Sequence, residues 1–314
     1  MNNVRPIIIW LHICCFMVLA MAVIGAVTRL TESGLSITEW KPVMGALPPL
    51  SETAWQEEFA KYQQSPEFLH KHNWMELHDF KKIFFWEWLH RLWGRAIGMV
   101  YLLPLLWFAA RKQIPPGTGW KFTGLLALGG LQGFVGWWMV KSGLIDRPSV
   151  SHFRLATHLG LALVLFSLLF WLALDLKNKY IPKRQPAAWA ALALLSVTII
   201  WGAFVAGLDA GLIYNTFPLM NGSFLPPEPL QDFLHQHAWV QFTHRWLAMF
   251  TAGVLLWLGL KRQDNALVTM VLIQISLGIA TLISQVMIPL AALHQAGAVI
   301  LLALLLRNIH KYGR

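Results

Sequence analysis

The chain has 314 residues, of which 56% are hydrophobic and only 13% are charged, and it contains 17 Trp and 18 Phe. A soluble globular domain has about a quarter of its residues charged, so this composition excludes an ordinary soluble protein. The formal net charge of +10 does not by itself separate a nucleic-acid-binding surface from basic loops beside a membrane.

Eight apolar segments are long enough to cross a bilayer, which takes roughly 20 residues of helix. Backbone polar groups in lipid need internal hydrogen-bond partners, so each segment is predicted to be helical. The sequence therefore predicts an all-α integral membrane protein with eight transmembrane helices. The predicted spans are 7–28, 83–110, 122–140, 155–174, 187–208, 236–260, 266–287 and 290–306.

Charged residues divide unevenly between the two sets of loops. The loops and termini on one side carry a net charge of +11, and the loops on the other side carry −3. The positive-inside rule then predicts that both termini are cytoplasmic, and a nucleic-acid partner loses its support. The first span is predicted to be a signal anchor without a preceding transit segment, which favours the inner membrane of a bacterium over an organelle.

The two halves of the chain resemble each other. Residues 25–35 match residues 202–212, and further matches follow in the same order. Self-similarity of this kind predicts two tandem four-helix bundles, covering 1–180 and 181–314, in the same orientation. The further matches are Pro42-x-Met44 with Pro218-x-Met220, His90-Arg91 with His244-Arg245, Gln132-x-x-x-Gly136 with Gln274-x-x-x-Gly278, and His158 with His294.

The first outer loop and the third span carry two further local patterns. Residues 51–64 are predicted to form an amphipathic helix with Trp55, Phe59 and Tyr62 on one face; it could cover a ligand mouth or serve only as a surface connector. In the third span, Gly129, Gly133 and Gly136 are expected to let helices approach each other, and the first two have the small-xxx-small spacing of close helix packing.

Four of the twelve histidines occupy matched positions: His90 and His158 in the first half, and His244 and His294 in the second. They share one depth in even-numbered spans. Two imidazoles on facing helices can supply both axial ligands of a haem iron. A single membrane histidine more often hydrogen-bonds another helix, but packing gives no reason for a matched pair in each half. We therefore predict two haem sites.

Three arginines lie close to these histidines in the sequence. Arg91 and Arg245 directly follow His90 and His244, and Arg95 lies one turn beyond Arg91. Guanidinium groups are good bidentate partners for haem propionates. The alternatives are snorkelling toward the surface or pairing with a carboxylate.

Glu87 is the only carboxylate inside a predicted span, and Gln241 stands at the equivalent position of the second half. Glu87 lies three residues before His90, on the same helix face. The first bundle can therefore move protons or stabilise a cation, whereas the second can only hold a cofactor and pass electrons. A structural pair between Glu87 and an arginine is the alternative.

Four stretches of the chain closely resemble the haem A synthases, in the branch typical of alphaproteobacteria and mitochondria. The resemblance covers essentially the whole chain. The stretches are GLSITEWKPVMGALPP at 34–49, FFWEWLHRLWGR at 84–95, RLATHL at 154–159 and GLDAGLIYNTFP at 207–218.

The resemblance implies a membrane enzyme that oxidises a methyl group of haem O to the formyl group of haem A, in two successive steps, for cytochrome oxidase assembly. It implies a haem b cofactor between His244 and His294, and substrate haem O at His90 and His158, with Glu87 as the essential acidic residue. Haem O synthase is then an expected partner, and a homo-oligomer is left open.

Some members of this family carry cysteine pairs in the outer loops, and this chain does not. Its two cysteines, Cys14 and Cys15, lie in the first span, where packing is their expected role. Two rival functions use the same spans. One is a bis-histidine membrane cytochrome that relays electrons from quinol, and the other is a transporter built on two repeats.

Overall fold

The computed structural model describes residues 4–40, 44–145, 148–180 and 183–313. Pro42, part of one repeat match, lies outside these residues. Within them the protein is all-helical, with no β-strand. The helices longer than one or two turns are α1 (Arg5–Leu30), α2 (Glu52–Tyr62), α3 (Leu77–Ala110), α4 (Gly119–Ile145), α5 (His152–Lys177), α6 (Pro186–Gly207), α7 (His237–Lys261), α8 (Asn265–Ile283) and α9 (Ile288–Tyr312).

Each predicted span corresponds to one long helix, α1 or one of α3 to α9. Seven helices of the described chain are long and apolar enough to cross a membrane, so the protein is a multi-pass membrane protein. The predicted span that does not reach this apolarity is α7. Its first half contains Gln241, His244 and Arg245, which lower the hydropathy of the helix.

Local sequence explains where several helices begin and end. Prolines occupy the first turns of α1, α6 and α9, where the missing backbone N–H is not needed. The predicted end of the seventh span, at residue 287, is wrong by four residues: α8 ends at Ile283 because Gln285 and Val286 have left-handed backbone angles, with φ of 54° and 61°. A residue other than glycine that adopts this left-handed conformation ends the helix.

The long helices pack as two rings of four. Helix α1 contacts α3 and α5, and α4 contacts both α3 and α5. In the same way α6 contacts α7 and α9, and α8 contacts both α7 and α9. The rings meet where α5 packs on α6 and α9, and where α1 packs on α9. In each ring, therefore, the two histidine-bearing helices stand diagonally across from each other.

Helix α2 forms a cap over the N-terminal end of α3. Ser51 caps its N-terminus by accepting from the Ala54 N–H at 3.2 Å, and the helix ends at Tyr62. Trp55 and Phe59 stack against Phe80 and Phe84 of α3, so the predicted amphipathic helix is confirmed. Its apolar face is covered by protein, which makes α2 a fixed part of the first half.

One apolar core cluster contains residues of α1, α4 and α5. Cys14 and Cys15 are both buried in it as free thiols, and they pack in one cluster with Trp10, Phe122 and Leu169. The expected packing role of both cysteines is confirmed.

Candidate functional site

The four matched histidines lie on diagonal helices and face each other in pairs. His90 of α3 is close enough to His158 of α5 for a charge on one imidazole to affect the other, and the same holds for His244 of α7 and His294 of α9. All four side chains are partly buried. Each ring of helices thus contains one pair of imidazoles across its centre.

Each histidine ring lies directly against a glycine of a neighbouring helix. A β-carbon added at Gly25 would lie 3.1 Å from Cε1 of His90. One added at Gly202 would lie at the same 3.1 Å from Cε1 of His244. Any side chain at these two positions would push the imidazole, so close approach requires glycine.

The second histidine of each pair has the same kind of neighbour. A β-carbon at Gly136 would meet Cε1 of His158 at 2.9 Å, and one at Gly278 would meet Cε1 of His294, also at 2.9 Å. The sequence predicted that Gly136 brings helices together; in the structure it instead makes room for an imidazole. The match in both halves shows that the ring positions, and not only the residue types, are repeated.

A glutamine holds the second histidine of each pair. The Gln132 amide Nε2 donates to the backbone carbonyl of His158 at 3.1 Å and lies 3.2 Å from its Nδ1. The Gln274 amide Nε2 makes the same two contacts with His294, at 2.9 and 3.2 Å. Both glutamines belong to the repeat match described above, which assigned no role to them. A side-chain contact to the ring nitrogen fixes the orientation of the imidazole.

Glu87 is buried, with 3% of its surface exposed, and several donors surround it. The Ser36 hydroxyl and the Ile37 backbone N–H donate to Oε2 at 2.7 and 2.8 Å. The Arg91 guanidinium donates to Oε1 at 2.7 Å, and it also donates to the carbonyl of Ile37 at 2.9 Å. Glu87 thus ties α3 to the loop that follows α1, and the ion pair that the sequence analysis held as an alternative is present.

The equivalent place in the second half has the opposite polarity. The Gln241 amide donates to the carbonyl of Tyr214 at 3.1 Å, where Glu87 accepts from the loop of the first half. Arg245 is 7% exposed, and its guanidinium donates to four carbonyls of this loop. These carbonyls belong to Tyr214, Thr216, Pro218 and Leu219, at 2.9 to 3.2 Å.

Two polar contacts join the halves near the sites. The Gln295 amide, next to His294, donates to the carbonyl of Ala22 in α1 at 2.7 Å. Near the C-terminus of α1, Arg29 forms an ion pair with Asp209 at 2.8 Å. Gly25, which lies against the His90 ring, is on α1 between these two contacts. The surroundings of His90 are therefore connected to the second half of the chain.

A chain of hydrogen bonds lies under the cap, beside Glu87. The Tyr62 hydroxyl is 3.0 Å from Glu67 and 2.7 Å from Nδ1 of His72, and Nε2 of His72 is 3.1 Å from Glu32. Burial raises the pKa of Glu67 to about 7. Hydrogen bonding to His72 lowers the pKa of Glu32 to about 2, with Lys71 contributing. His72 is not among the four matched histidines, and this cluster is revealed only by the folded cap.

The structure brings together most of the residues that the sequence singled out. The four histidines form two facing pairs, and Glu87 lies beside His90 on α3. Arg91 and Arg245 contact backbone carbonyls of the loops after α1 and α6. Arg95 lies one turn further along α3 and is partly buried.

The chain is similar to known proteins over nearly its whole length. The family model described as "Cytochrome oxidase assembly protein" (COX15-CtaA) matches residues 8–306. A protein of Rhodospirillum centenum named haem A synthase is 52% identical over 98% of this chain and 88% of its own length. Haem A synthases of Caulobacter vibrioides and Flavobacterium psychrophilum are 49% and 42% identical, covering 95% and 100% of this chain and 94% and 100% of their own lengths.

The fold and site define a class: multi-pass helical membrane proteins with a histidine pair inside each of two helix rings. The comparisons narrow the class to one family. This chain belongs to the COX15-CtaA family of cytochrome oxidase assembly proteins, whose similar members are named haem A synthases and are mostly alphaproteobacterial. The family resemblance found in the sequence is confirmed.

Proposed function

We propose that this protein acts as a haem A synthase, oxidising a methyl group of haem O to the formyl group of haem A in two successive steps. The observation that carries the proposal is the difference between two otherwise matched sites. A buried carboxylate, Glu87, stands beside the histidine pair of the first half, and an amide, Gln241, stands in its place in the second. The names and high identity of the relatives support the same activity.

The proposal gives each histidine pair its own haem. Haem b is the resident cofactor between His244 and His294, and substrate haem O binds between His90 and His158. The residues fit such a group because each imidazole is spared a neighbouring side chain by a glycine. Among the described residues, Nδ1 of His90 and of His244 are buried without a hydrogen-bond partner. When bound, haem b supplies an iron that can accept and pass on electrons.

Glu87 does the acid–base work in this proposal. Oxidation of a methyl group releases protons, and a carboxylate close to the reacting carbon can accept one or stabilise developing positive charge. The donors of Ser36, Ile37 and Arg91 fix its position. Propionate binding by Arg91, Arg95 and Arg245 stays a prediction. The carbonyl contacts of Arg91 and Arg245 give these two residues a second role, which is to hold the loops.

The proposal includes the finer architecture. Helices α1 and α3 to α9 all span the membrane, and they form two tandem four-helix bundles that cover residues 1–180 and 181–314. Helix α7 can do so because Gln241 and Arg245 are turned into protein, with 4% and 7% of their surfaces exposed. The matched glycine and glutamine contacts support the repeat. The charge asymmetry supports placement in a bacterial inner membrane with cytoplasmic termini. Haem O synthase is the expected supplier of the substrate.

Glu87→Gln tests the proposed role. The amide at Gln241 indicates that this helix position tolerates glutamine, so the variant should fold and keep its haem b spectrum. Haem A extracted from cells that also express haem O synthase should fall by about 100-fold or more, with haem O or the alcohol accumulating. Glu57→Gln, the same change at an exposed carboxylate of α2, is the control and should leave haem A unchanged. Normal haem A from Glu87→Gln would contradict the role of Glu87.

A bis-histidine cytochrome that relays electrons from quinol is the second candidate. The near-identical surroundings of the two histidine pairs favour it, since a relay needs two similar haems. It gives no role to a carboxylate present in only one half. Haem analysis of cells expressing haem O synthase with and without this protein separates the two functions, because only the synthase produces haem A.

A further inference from the structure

The two rings differ in how tightly one pair of helices packs. Helices α3 and α4 contact each other much less than the equivalent helices α7 and α8. The Tyr101 hydroxyl of α3 donates to the carbonyl of Phe122 of α4 at 2.9 Å, so the two helices meet near the C-terminus of α3. Toward the histidines the described residues leave open space at Gly98, Gly129 and Gly133, and this space is the opening between the two helices.

Glycines line this opening where the second ring has larger side chains. No atom of the described residues lies within 4 Å of a β-carbon added at Gly129 of α4, whereas the equivalent Val271 of α8 is 1% exposed. The expected role of Gly129 in close helix packing is therefore wrong. On the opposite wall Gly98, one turn from Tyr101, is equally open, and its equivalent Ala252 is 5% exposed.

A third position continues the pattern toward the histidines. Gly133 is exposed, and a β-carbon added to it would meet open space in the described part of the chain, so it too does not bring helices together. Its equivalent Ile275 packs against the core. The opening is continuous with the candidate substrate site, because Gln132 lies between Gly129 and Gly133 and holds His158. The Gln132 Oε1 atom is buried there and makes no hydrogen bond within the described ranges.

We propose that the opening between α3 and α4 takes the isoprenoid tail of haem O, and that Gly98, Gly129 and Gly133 give the first bundle its preference for a tailed haem. This inference rests on the proposed function. Haem O carries a long apolar chain on the macrocycle where haem b has a small vinyl group. A chain of that length needs an apolar way out of the bundle, and an opening toward lipid provides one at no cost in helix packing.

The second ring shows why the tail is assigned to the first ring. Its α7–α8 pair is closed by Val271 and Ala252, so a macrocycle without a tail fits inside, and a tailed one would have to displace buried side chains from a packed core. The same scaffold thus selects two haems that differ only at their edge. The specificity is steric: packed side chains exclude the tail from the second site, and open space admits it to the first.

Titration of purified, haem-b-loaded protein with haem O and with protohaem tests the inference. Absorbance reports the dissociation constant of the second site. Wild type should bind haem O more tightly than protohaem. Gly129→Val, which installs the residue of α8, should weaken haem O binding by about tenfold or more while protohaem binding stays unchanged. Gly98→Ala is a milder change on the other wall and should weaken haem O binding in the same direction.

Gly130→Leu is the matched control. Gly130 is exposed next to Gly129, and its equivalent Leu272 is 53% exposed, so this change should alter neither affinity. An unchanged haem b spectrum shows that each variant is folded. Haem O binding that survives both Gly129→Val and Gly98→Ala, or an equal loss for both haems, overturns the tail route and leaves the opening to lipid. A wild type that takes up neither haem overturns the proposed function as well.

Discussion

The two helix rings show how one scaffold can be given different chemistry by few changes. Both hold a histidine pair against glycines at nearly identical distances, and in both an arginine holds the loop that follows the first helix of the ring. The loop contact has reversed polarity, since Ile37 donates its N–H to Glu87 and Gln241 donates to the carbonyl of Tyr214. An acceptor of α3 therefore faces the loop in the first ring, and a donor of α7 faces the loop in the second.

The comparison also separates what a haem site needs from what a reaction needs. Facing imidazoles, glycines beside them and a glutamine at the second histidine occur in both rings, so the proposed function assigns them to haem binding. The carboxylate, the cap of α2 and the open helix pair occur only in the first ring among the residues that the structure describes. These extra features are where changes should affect turnover without affecting the resident haem.

The largest expected effect comes from removing one histidine in each ring. His244→Ala should abolish the haem b spectrum of the purified protein, because the iron loses an axial ligand. His90→Ala should leave that spectrum intact and abolish haem A formation. Pyridine haemochrome analysis and extracted haem profiles measure both. If His90→Ala removes the resident haem instead, the two sites are assigned the wrong way round.

The glutamines offer a smaller, graded test of the same assignment. Gln274→Leu removes the donor that orients His294, and loss of such an outer contact typically weakens ligand binding about 10- to 100-fold. Resident haem should then be lost more readily to apomyoglobin. Gln132→Leu is the paired variant and should slow haem A formation without loosening the resident haem. Identical behaviour of the two variants would contradict a division of labour between the rings.

The arginines should differ in what their loss affects. Lysine cannot reproduce the fork that lets buried Arg245 hold four carbonyls, so Arg245→Lys should destabilise the protein by about 2–4 kcal/mol. A lower Tm of the haem-loaded protein measures this. Arg91→Lys should act mainly on haem A formation, because Arg91 also positions Glu87. A fall in Tm with no fall in turnover for Arg91→Lys would argue against that positioning.

The smallest expected effect is the pH dependence of the cap. The pKa of Glu67 is raised to about 7 by burial, so its protonated form is favoured by folding. The cap should therefore lose stability, on the order of 2 kcal/mol, as pH rises from about 4.5 to about 7, and should change little above that. Glu32, beside Lys71 and His72, has its pKa lowered to about 2, and its contribution is lost only as pH falls below about 4.5.

Limited proteolysis of residues 52–72 across this pH range measures the effect. Glu67→Gln should flatten the profile between pH 4.5 and 7, since the amide does not titrate. Glu57→Gln is a suitable control, because Glu57 is exposed on the outer face of α2. A profile in Glu67→Gln as steep as that of the wild type would assign the pH dependence to another group.

Much of this arrangement can be predicted from the sequence, for two reasons. Some motifs occur in both halves of the chain, and polar groups inside apolar spans are costly in free energy and therefore rare. A charge or an imidazole inside an apolar span stands out against its neighbours, which is why Glu87 and the four histidines were found. Helix boundaries were close wherever proline or a change in hydropathy marks them, as at Pro186 and Pro289. The end of α8 was misplaced because left-handed angles at Gln285 and Val286 leave no clear compositional mark.

Long-range contacts could not be predicted in this way. The glycines of α4 form a pattern typical of close helix packing, yet whether a neighbour approaches depends on the side chains of α3 and on the cap above it. The cluster of Tyr62, Glu67, His72 and Glu32 joins segments that are up to 40 residues apart, and none of its members stands out in a polar loop.

The sequence by itself determined the membrane helices, the two histidine pairs and the single carboxylate, because hydropathy, periodicity and the internal repeat are properties of the chain alone. Only the tertiary structure decided which groups touch the histidines, which loop Glu87 and Arg245 hold, and which helix pair is open. These depend on shape complementarity between distant segments, and small differences in side-chain volume, such as Gly129 against Val271, set whether two helices close on each other.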